Sequence, residues 1–538
     1  MPDETTQMEW PLEDPRREPS ESRPRPRPTF QAYAPNQLVL PMDLQELIPP
    51  RHVVRVVNEA IDRIPDATFE APYVGGGRPP YHPKMLTKVI VYAYTQRLYS
   101  SRQIAKAVRE QVPFMWLAAR QTPDFRTINR FRSDRLKALI DRIFSDILQQ
   151  LLRAGYVKLE HYFVDGTKIE ANANRYTFVW KKAVEKNKAK LETTIKEILK
   201  TIDEVNTAED AHYGDRDLEE VDPAPLDADD VERRAEELEE RLNTQPEAPK
   251  QARRVVRDLR LKLVPRLRRY EQQLAACGDR NSYSKTDPDA TFMRLKEDHM
   301  RNGQLKPAYN VQMGTENQFI IGYSVHQNRA DAGCLIPHLE RLRTLVGRLP
   351  QTIVADAGYG SEENFAYVEK QGRTALMKWN TYRLESTRKW QRQVKRVENW
   401  TYDDTHDEWI CAAGRRLTFQ GLKQARSDNG YWATLRVYQA HDCPTCPLKA
   451  ECTTAEYRRI QISPLLRRYK QEVRERFKVP EVMATMKRRG VEVESVWGHI
   501  KEDRQFRRFL LRGLAKVQTE WGLLSVAHNL LKQATLAY

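Results

Sequence analysis

Val354-Ala355-Asp356-Ala357-Gly358-Tyr359-Gly360-Ser361 reads as the end of a strand, a tight turn and the start of a helix. The run that leads into it, Thr352-Ile353-Val354-Ala355, is short, apolar and β-branched, the pattern of a buried strand. Asp356 ends the run and a Gly-x-Gly turn follows. Ser361 then stands where an N-cap belongs, ahead of Glu362-Glu363-Asn364-Phe365. A carboxylate at the C-terminal end of a buried strand is where α/β sheets place their chemistry. Taken alone, such an Asp caps a turn as readily as it binds a metal.

Two other stretches bear on that choice. His161-Tyr162-Phe163-Val164-Asp165-Gly166-Thr167-Lys168 repeats the grammar of apolar strand, Asp and Gly turn. Arg489-Gly490-Val491-Glu492-Val493-Glu494-Ser495-Val496-Trp497-Gly498-His499-Ile500-Lys501 reads as helix, with Glu494, Trp497 and Lys501 on one face. Two strand-end aspartates and a helical glutamate suit two-metal phosphodiester chemistry. One ion activates the attacking oxygen and the other stabilises the leaving oxygen. Hard ions such as Mg²⁺ take carboxylate oxygens and keep several waters, whereas His or Cys ligands would select softer metals.

Composition points the same way. The chain has 538 residues, 40% hydrophobic and 30% charged, with a formal net charge of +15. That length predicts three or four domains with real cores, and the basic excess favours a polyanionic partner. No apolar run is long enough to span a bilayer. The start, Met1-Pro2-Asp3-Glu4, lacks the pattern of a signal peptide. A cytoplasmic protein is expected, with its six cysteines free or metal-bound rather than paired.

In chain order, residues 1–36 are rich in Pro, Arg and Glu and read as a disordered tail. Residues 37–155 read as all-helical. Within them, Ser100-Ser101-Arg102-Gln103-Ile104-Ala105-Lys106-Ala107-Val108-Arg109 suits the first helix of a helix-turn-helix, and Pro123 to Arg132 its turn and second helix. Arg126, Arg130 and Arg132 would then meet phosphates or base edges. The alternative is a basic bundle that only packs on the core. Lys168 and Arg175 are candidate phosphate contacts or plain surface charge.

Residues 181–280 carry three amphipathic runs and an acidic linker at 215–230, with a kink expected at Pro265. They form a helical hairpin inserted after the first core strand. Residues 281–380 return to the core with an antiparallel strand pair, a helix over 330–348 and the Asp356 strand. Asp331 opens that helix as a cap. Residues 381–462 are a mostly β insertion. There Cys411, Cys443, Cys446 and Cys452 supply four thiolates for a closed tetrahedral zinc site, against the alternative of free thiols. Cys277 and Cys334 read as packing residues. Residues 463–538 are helical and basic and complete the core with residues 156–180.

The three carboxylate stretches, with the sequence after Glu494, resemble the DDE transposases of bacterial insertion sequences over about residues 40–530. The helical insert matches in kind only. The resemblance implies an α+β, RNase H-like mixed-sheet core behind an N-terminal helical DNA-binding domain, with the two insertions. It implies Asp165, Asp356 and Glu494 as the catalytic, metal-holding triad, and two Mg²⁺ or Mn²⁺ ions. Water would cut at the transposon end, and the freed 3′-OH would attack target DNA, largely through positioning and charge neutralisation. Lys501, seven residues after Glu494, matches a lysine that contacts the transposon end. Arg489 lies near the family's signature arginine but one residue further from Glu494 than the commonest spacing. The signature tyrosine has no clear match, with Met486 near its place. Glu492 is the rival third carboxylate, and Trp497-Gly498 and Lys501 keep register with Glu494. Partners implied are double-stranded DNA, at transposon ends and target, and a second copy in a homodimer, in a bacterial cytoplasm at the nucleoid. The alternatives are a retired transposase that only binds DNA, and a metal-dependent nuclease on the same fold.

Overall fold

A computed structural model describes residues 30, 38–39, 42–73, 76, 79–213, 227–244, 250–295, 305–427 and 429–537. The expected N-terminal tail and most of the acidic linker lie outside the described residues.

The centre is a six-stranded mixed sheet. Its strands are β1 (His161–Glu170), β2 (Thr291–Arg294), β3 (Leu305–Glu316), β4 (Phe319–His326), β5 (Thr352–Ala355) and β6 (Thr374–Met377). They lie in the order β6-β5-β1-β3-β2, with β4 also paired to β3. β6, β5 and β1 run parallel, and β3 is antiparallel to β1, β2 and β4. This mixed α/β architecture is consistent with an RNase H-like core. β5 is buried through Ile353, Val354 and Ala355, and β1 through Tyr162, Phe163 and Val164. Such continuous apolar runs are what a strand covered on both faces requires.

β1 corrects one expectation. The strand does not turn at Gly166 but continues to Glu170, with Gly166 paired to Gln312 in mid-ladder. The glycine serves close approach rather than reversal, as shown below.

Helices cover the sheet. Leu335–Val346 packs on β4, and the terminal helix Leu514–Leu536 packs on β4, on Leu136–Arg153 and on Pro83–Thr95. Pro83–Thr95 is buried along its whole length. One hydrophobic core runs from Ile48 to Leu530, so the N-terminal helices share their interior with the sheet. The two helices expected to form a helix-turn-helix exist, as Ser101–Glu110 and Phe125–Arg130, and they touch. A third helix, Val112–Leu117, lies between them with Pro113 in its first turn. The connection is therefore longer than the 3–4-residue turn of that motif.

Lys181–Tyr213, Ala228–Thr244, Lys250–Asp258 and Val264–Cys277 are helices around a separate core that includes Ile195, Val231, Ala235 and Leu259. Instead of a simple kink at Pro265, a π-turn at Leu259–Leu263 precedes a new helix that carries the proline in its first turn. The second insertion is a five-stranded antiparallel sheet over Trp400, Trp409, Leu417 and Tyr438. Its long hairpin, Arg416–Arg426 with Trp432–Ala440, returns toward the core. Tyr431 donates to Glu362 at 3.0 Å and Asn429 to Glu363 at 3.3 Å, at the start of the helix after Asp356.

Candidate active site

The parallel pairing of β1 and β5 sets Val164 opposite Ala355. The next residue on each strand is the aspartate, so Asp165 and Asp356 stand side by side where β5 ends. Sheet register alone thus joins two residues far apart in sequence. Asp356 Oδ1 accepts from the Gly358 N–H at 2.7 Å and caps the short turn Ala357–Tyr359. Gly360 follows under a hard constraint: a Cβ there would lie 1.9 Å from the Lys378 carbonyl oxygen. Ser361 caps the helix Glu362–Lys370 by accepting from Asn364 N–H at 3.3 Å.

The third carboxylate comes from the helical segment after Pro480–Arg489. Glu494 has a half-exposed side chain and takes a 2.7 Å ion pair from Arg489 Nη2. Arg489 Nη1 lies 3.5 Å from Asp165 Oδ1, is buried, and makes no hydrogen bond. A guanidinium therefore sits between Asp165 and Glu494. The extra residue between Arg489 and Glu494 is absorbed by a π-turn over Gly490–Glu494. A π-turn takes one more residue per turn than an α-turn, which lets Arg489 reach Glu494 from five positions away.

Glu492 is placed quite differently. It is 5% exposed, accepts from the Gln318 backbone N–H at 2.8 Å and pairs with Arg488 at 2.8 Å. It ties the helix to the β3–β4 turn.

Lys501 is buried, unlike Glu494. Its ammonium donates to Thr167 Oγ1 at 2.6 Å, on the same face of β1 as Asp165. Lys501 here holds the helix against β1 instead of presenting a charge to solvent. Lys168 is half-buried on the other face of β1, and Arg175 pairs with Glu170 at 3.3 Å. Of the three N-terminal arginines, Arg126 and Arg130 are exposed. Arg132 is buried and donates to the Tyr99 carbonyl at 2.6 Å and to Ser101 Oγ at 3.2 Å. Its expected contact with DNA gives way to a structural role, because its donors point inward.

The four insertion cysteines line one pocket, and the Arg458 N–H donates to Cys443 Sγ at 3.3 Å. All six cysteines are free. Among the described residues, no three His, Cys, Asp or Glu groups stand close enough to enclose a metal ion. That holds for these thiols and for the carboxylates spread around Arg489. In chemistry the carboxylate site nevertheless fits a hard divalent cation. Its donors are all carboxylate oxygens, and a buried, unbonded guanidinium nitrogen already occupies the gap between two of them.

Sequence reasoning missed the far face of β1. A Cβ on Gly166 would lie 2.3 Å from Gln312 Nε2, 2.8 Å from Asp331 Oδ1 and 2.9 Å from the Tyr359 hydroxyl. Asp331 makes no side-chain cap; its carboxylate turns back to the sheet and accepts from Asn310 Nδ2 at 2.8 Å and Gln312 Nε2 at 3.1 Å. The signal was present as Tyr309-Asn310-Val311-Gln312-Met313, where two amides alternate with apolar residues on a strand that buries both faces.

Known families complete the description. A family model described as a transposase DDE domain matches residues 410–534, a span that contains Glu494, Arg489 and Lys501. A second, described as a transposase domain (DUF772), matches residues 42–134. No curated protein matches the chain. Two transposase models thus match residues 42–134 and 410–534, on either side in sequence of a mixed sheet consistent with an RNase H-like core.

Proposed function

We propose that this chain is a transposase of an insertion sequence that binds the terminal inverted repeats of its element, cuts the DNA there by metal-dependent hydrolysis, and joins the freed 3′-OH to target DNA. The observation that carries the proposal is the convergence of Asp165, in mid-strand on β1, with Asp356, just past the end of the neighbouring β5, with Glu494 facing Asp165 across Arg489.

In this reading Asp165, Asp356 and Glu494 hold two Mg²⁺ or Mn²⁺ ions. When bound, these ions supply charge for the attacking and leaving oxygens of an in-line displacement. Glu494 is exposed enough to turn toward the aspartates. Arg489 neutralises Asp165 and Glu494 until it is displaced, and then lies beside the scissile phosphate as a donor. Thr167 and Lys501 fix the helix that carries Glu494, so the third carboxylate arrives at a set distance from β1. Arg126 and Arg130 lie on the exposed side of the N-terminal helices and contact the DNA backbone.

The test is cleavage of the element's own end in Mg²⁺ or Mn²⁺, comparing wild type with Glu494→Ala and Glu492→Ala. Loss of cleavage with intact end binding in Glu494→Ala supports the triad. A wild type that binds the end and never cuts points to a retired DNA-binding protein. Cutting without strand transfer points to a nuclease.

A further inference from the structure

We propose that Asp331, acting through Gln312 and Tyr359, is a positioning residue that fixes the Asp356 turn against the Asp165 strand. The inference rests on the triad reading above and concerns the opposite face of the same strand.

Side chains alternate along β1, so Asp165 and Gly166 address opposite faces. Behind Gly166 the polar groups form one continuous chain. The Tyr359 hydroxyl donates to Gln312 Oε1. The same amide donates through Nε2 to Asp331 Oδ1 at 3.1 Å and to Asn310 Oδ1 at 3.0 Å. Asn310 Nδ2 then donates to Asp331 Oδ1 at 2.8 Å. Each donor faces an acceptor, which fixes the orientation of both amides. Tyr359 closes the turn that Asp356 opens, and Gln312 pairs with Gly166, next to Asp165. The network therefore spans from the Asp356 turn to the β1 residue next to Asp165.

A second clamp joins the same two segments. Buried Asn364 donates through Nδ2 to the Ala332 carbonyl at 3.0 Å and the Tyr359 carbonyl at 2.8 Å. Asp331 is thus held to the Asp356 turn through side chains and through backbone. Burial, followed by the charges of Asp331, Asp165 and Asp356, raises the Tyr359 phenol well above its ordinary value. It stays protonated and keeps donating. A site without Gly166 could not hold this network, because the first side-chain carbon would occupy its centre.

Groups that orient ligands from behind typically contribute 10–100-fold in metal affinity or activity. The test is Mn²⁺ binding to the full chain, followed by the electron paramagnetic resonance of the free ion, alongside end binding without divalent metal. Tyr359→Phe removes one hydroxyl and Asp331→Ala one carboxylate. Both are expected to weaken Mn²⁺ binding by roughly 10–100-fold with end binding unchanged. Asp331→Asn keeps an acceptor at Oδ1 and is expected to recover most of the affinity. Wild-type Mn²⁺ affinity in folded Tyr359→Phe and Asp331→Ala overturns the proposal. Equal loss in Asp331→Asn and Asp331→Ala also overturns it, because it makes Asp331 a direct ligand. Asp165→Asn and Asp356→Asn test the underlying triad separately. If neither changes Mn²⁺ binding, the triad reading fails.

Discussion

Gly166→Ala adds one carbon where the structure has no room. That carbon would meet Gln312 Nε2 at 2.3 Å, Asp331 Oδ1 at 2.8 Å and the Tyr359 hydroxyl at 2.9 Å. None can yield cheaply. Gln312 is 0% exposed and bonded at both ends of its amide, and Tyr359 is fully buried. Overpacking costs about 1–3 kcal/mol, and displacing one amide leaves a buried polar group unsatisfied for about another 1–3 kcal/mol. Against this, alanine in a strand interior gains about 0.5–1 kcal/mol over glycine. The net is a loss of about 1–5.5 kcal/mol, and the strain falls on the turn that carries Asp356. A misplacement on the order of 1 Å costs about 100-fold in rate. Differential scanning fluorimetry and end cleavage, read on the same preparation, measure both effects. Gly498→Ala is the stability control. It lies in a helix with nothing within 4 Å of its added carbon, and should be neutral or stabilising by up to about 1 kcal/mol. If Gly166→Ala melts and cleaves like wild type, the crowded network behind β1 does not exist as described.

Glu494→Gln should leave thermal stability and end binding near wild type and abolish cleavage, whereas Glu492→Ala should lower the melting point by uncovering the Gln318 N–H, at about 1–3 kcal/mol. The reverse pattern would put the third carboxylate at Glu492. Arg126→Ala should weaken DNA binding and reduce the log–log salt slope by about 1 per lost phosphate contact. Arg132→Ala and Lys501→Met should act on melting temperature first, because both groups donate inward; a salt-slope change without destabilisation in either would contradict their burial. His338 is fully buried between Tyr162 and Ser324, and burial, then His326 and Arg341, hold its pKa down to about 3. Both states are neutral above the ordinary value of 6.5, so its stability is complete there. As pH falls from 6.5 toward 3 the unfolded chain takes the proton first, and stability drops by about 1.4 kcal/mol per pH unit. Denaturant unfolding at pH 7.5 and 5.0 should show this slope flattened in His338→Gln, and an unchanged slope would assign the acid sensitivity elsewhere.

The legible parts of the sequence were those whose pattern is local. Thr352-Ile353-Val354-Ala355 and the Ser361 cap each follow from a few neighbouring residues, and the structure has them; residues 381–462, expected to be mostly β, open instead with short helices at Tyr382–Glu385 and Arg388–Gln391 before the strands begin at Thr401. What local pattern could not carry was register and facing. Gly166 looks like a turn residue because Asp-Gly usually is one. Only the pairing with Gln312 and the approach of Tyr359 make it a mid-strand necessity. Asp331 looks like a helix cap because it precedes a helix, yet its carboxylate is claimed by two amides from β3. Arg132 and Lys501 look like phosphate ligands because free cations on a helix are usually exposed. Burial by partners hundreds of positions away or on a neighbouring helix removes them from the surface, as with Lys501 on Thr167. The spacing of Arg489 is the converse case. A one-residue offset from the usual motif looked like a defect, and the π-turn at Gly490–Glu494 converts it into a guanidinium aimed between Asp165 and Glu494. A motif comparison that counts residues assumes constant helical pitch, and a π-turn breaks that assumption at the place where this site needs it broken.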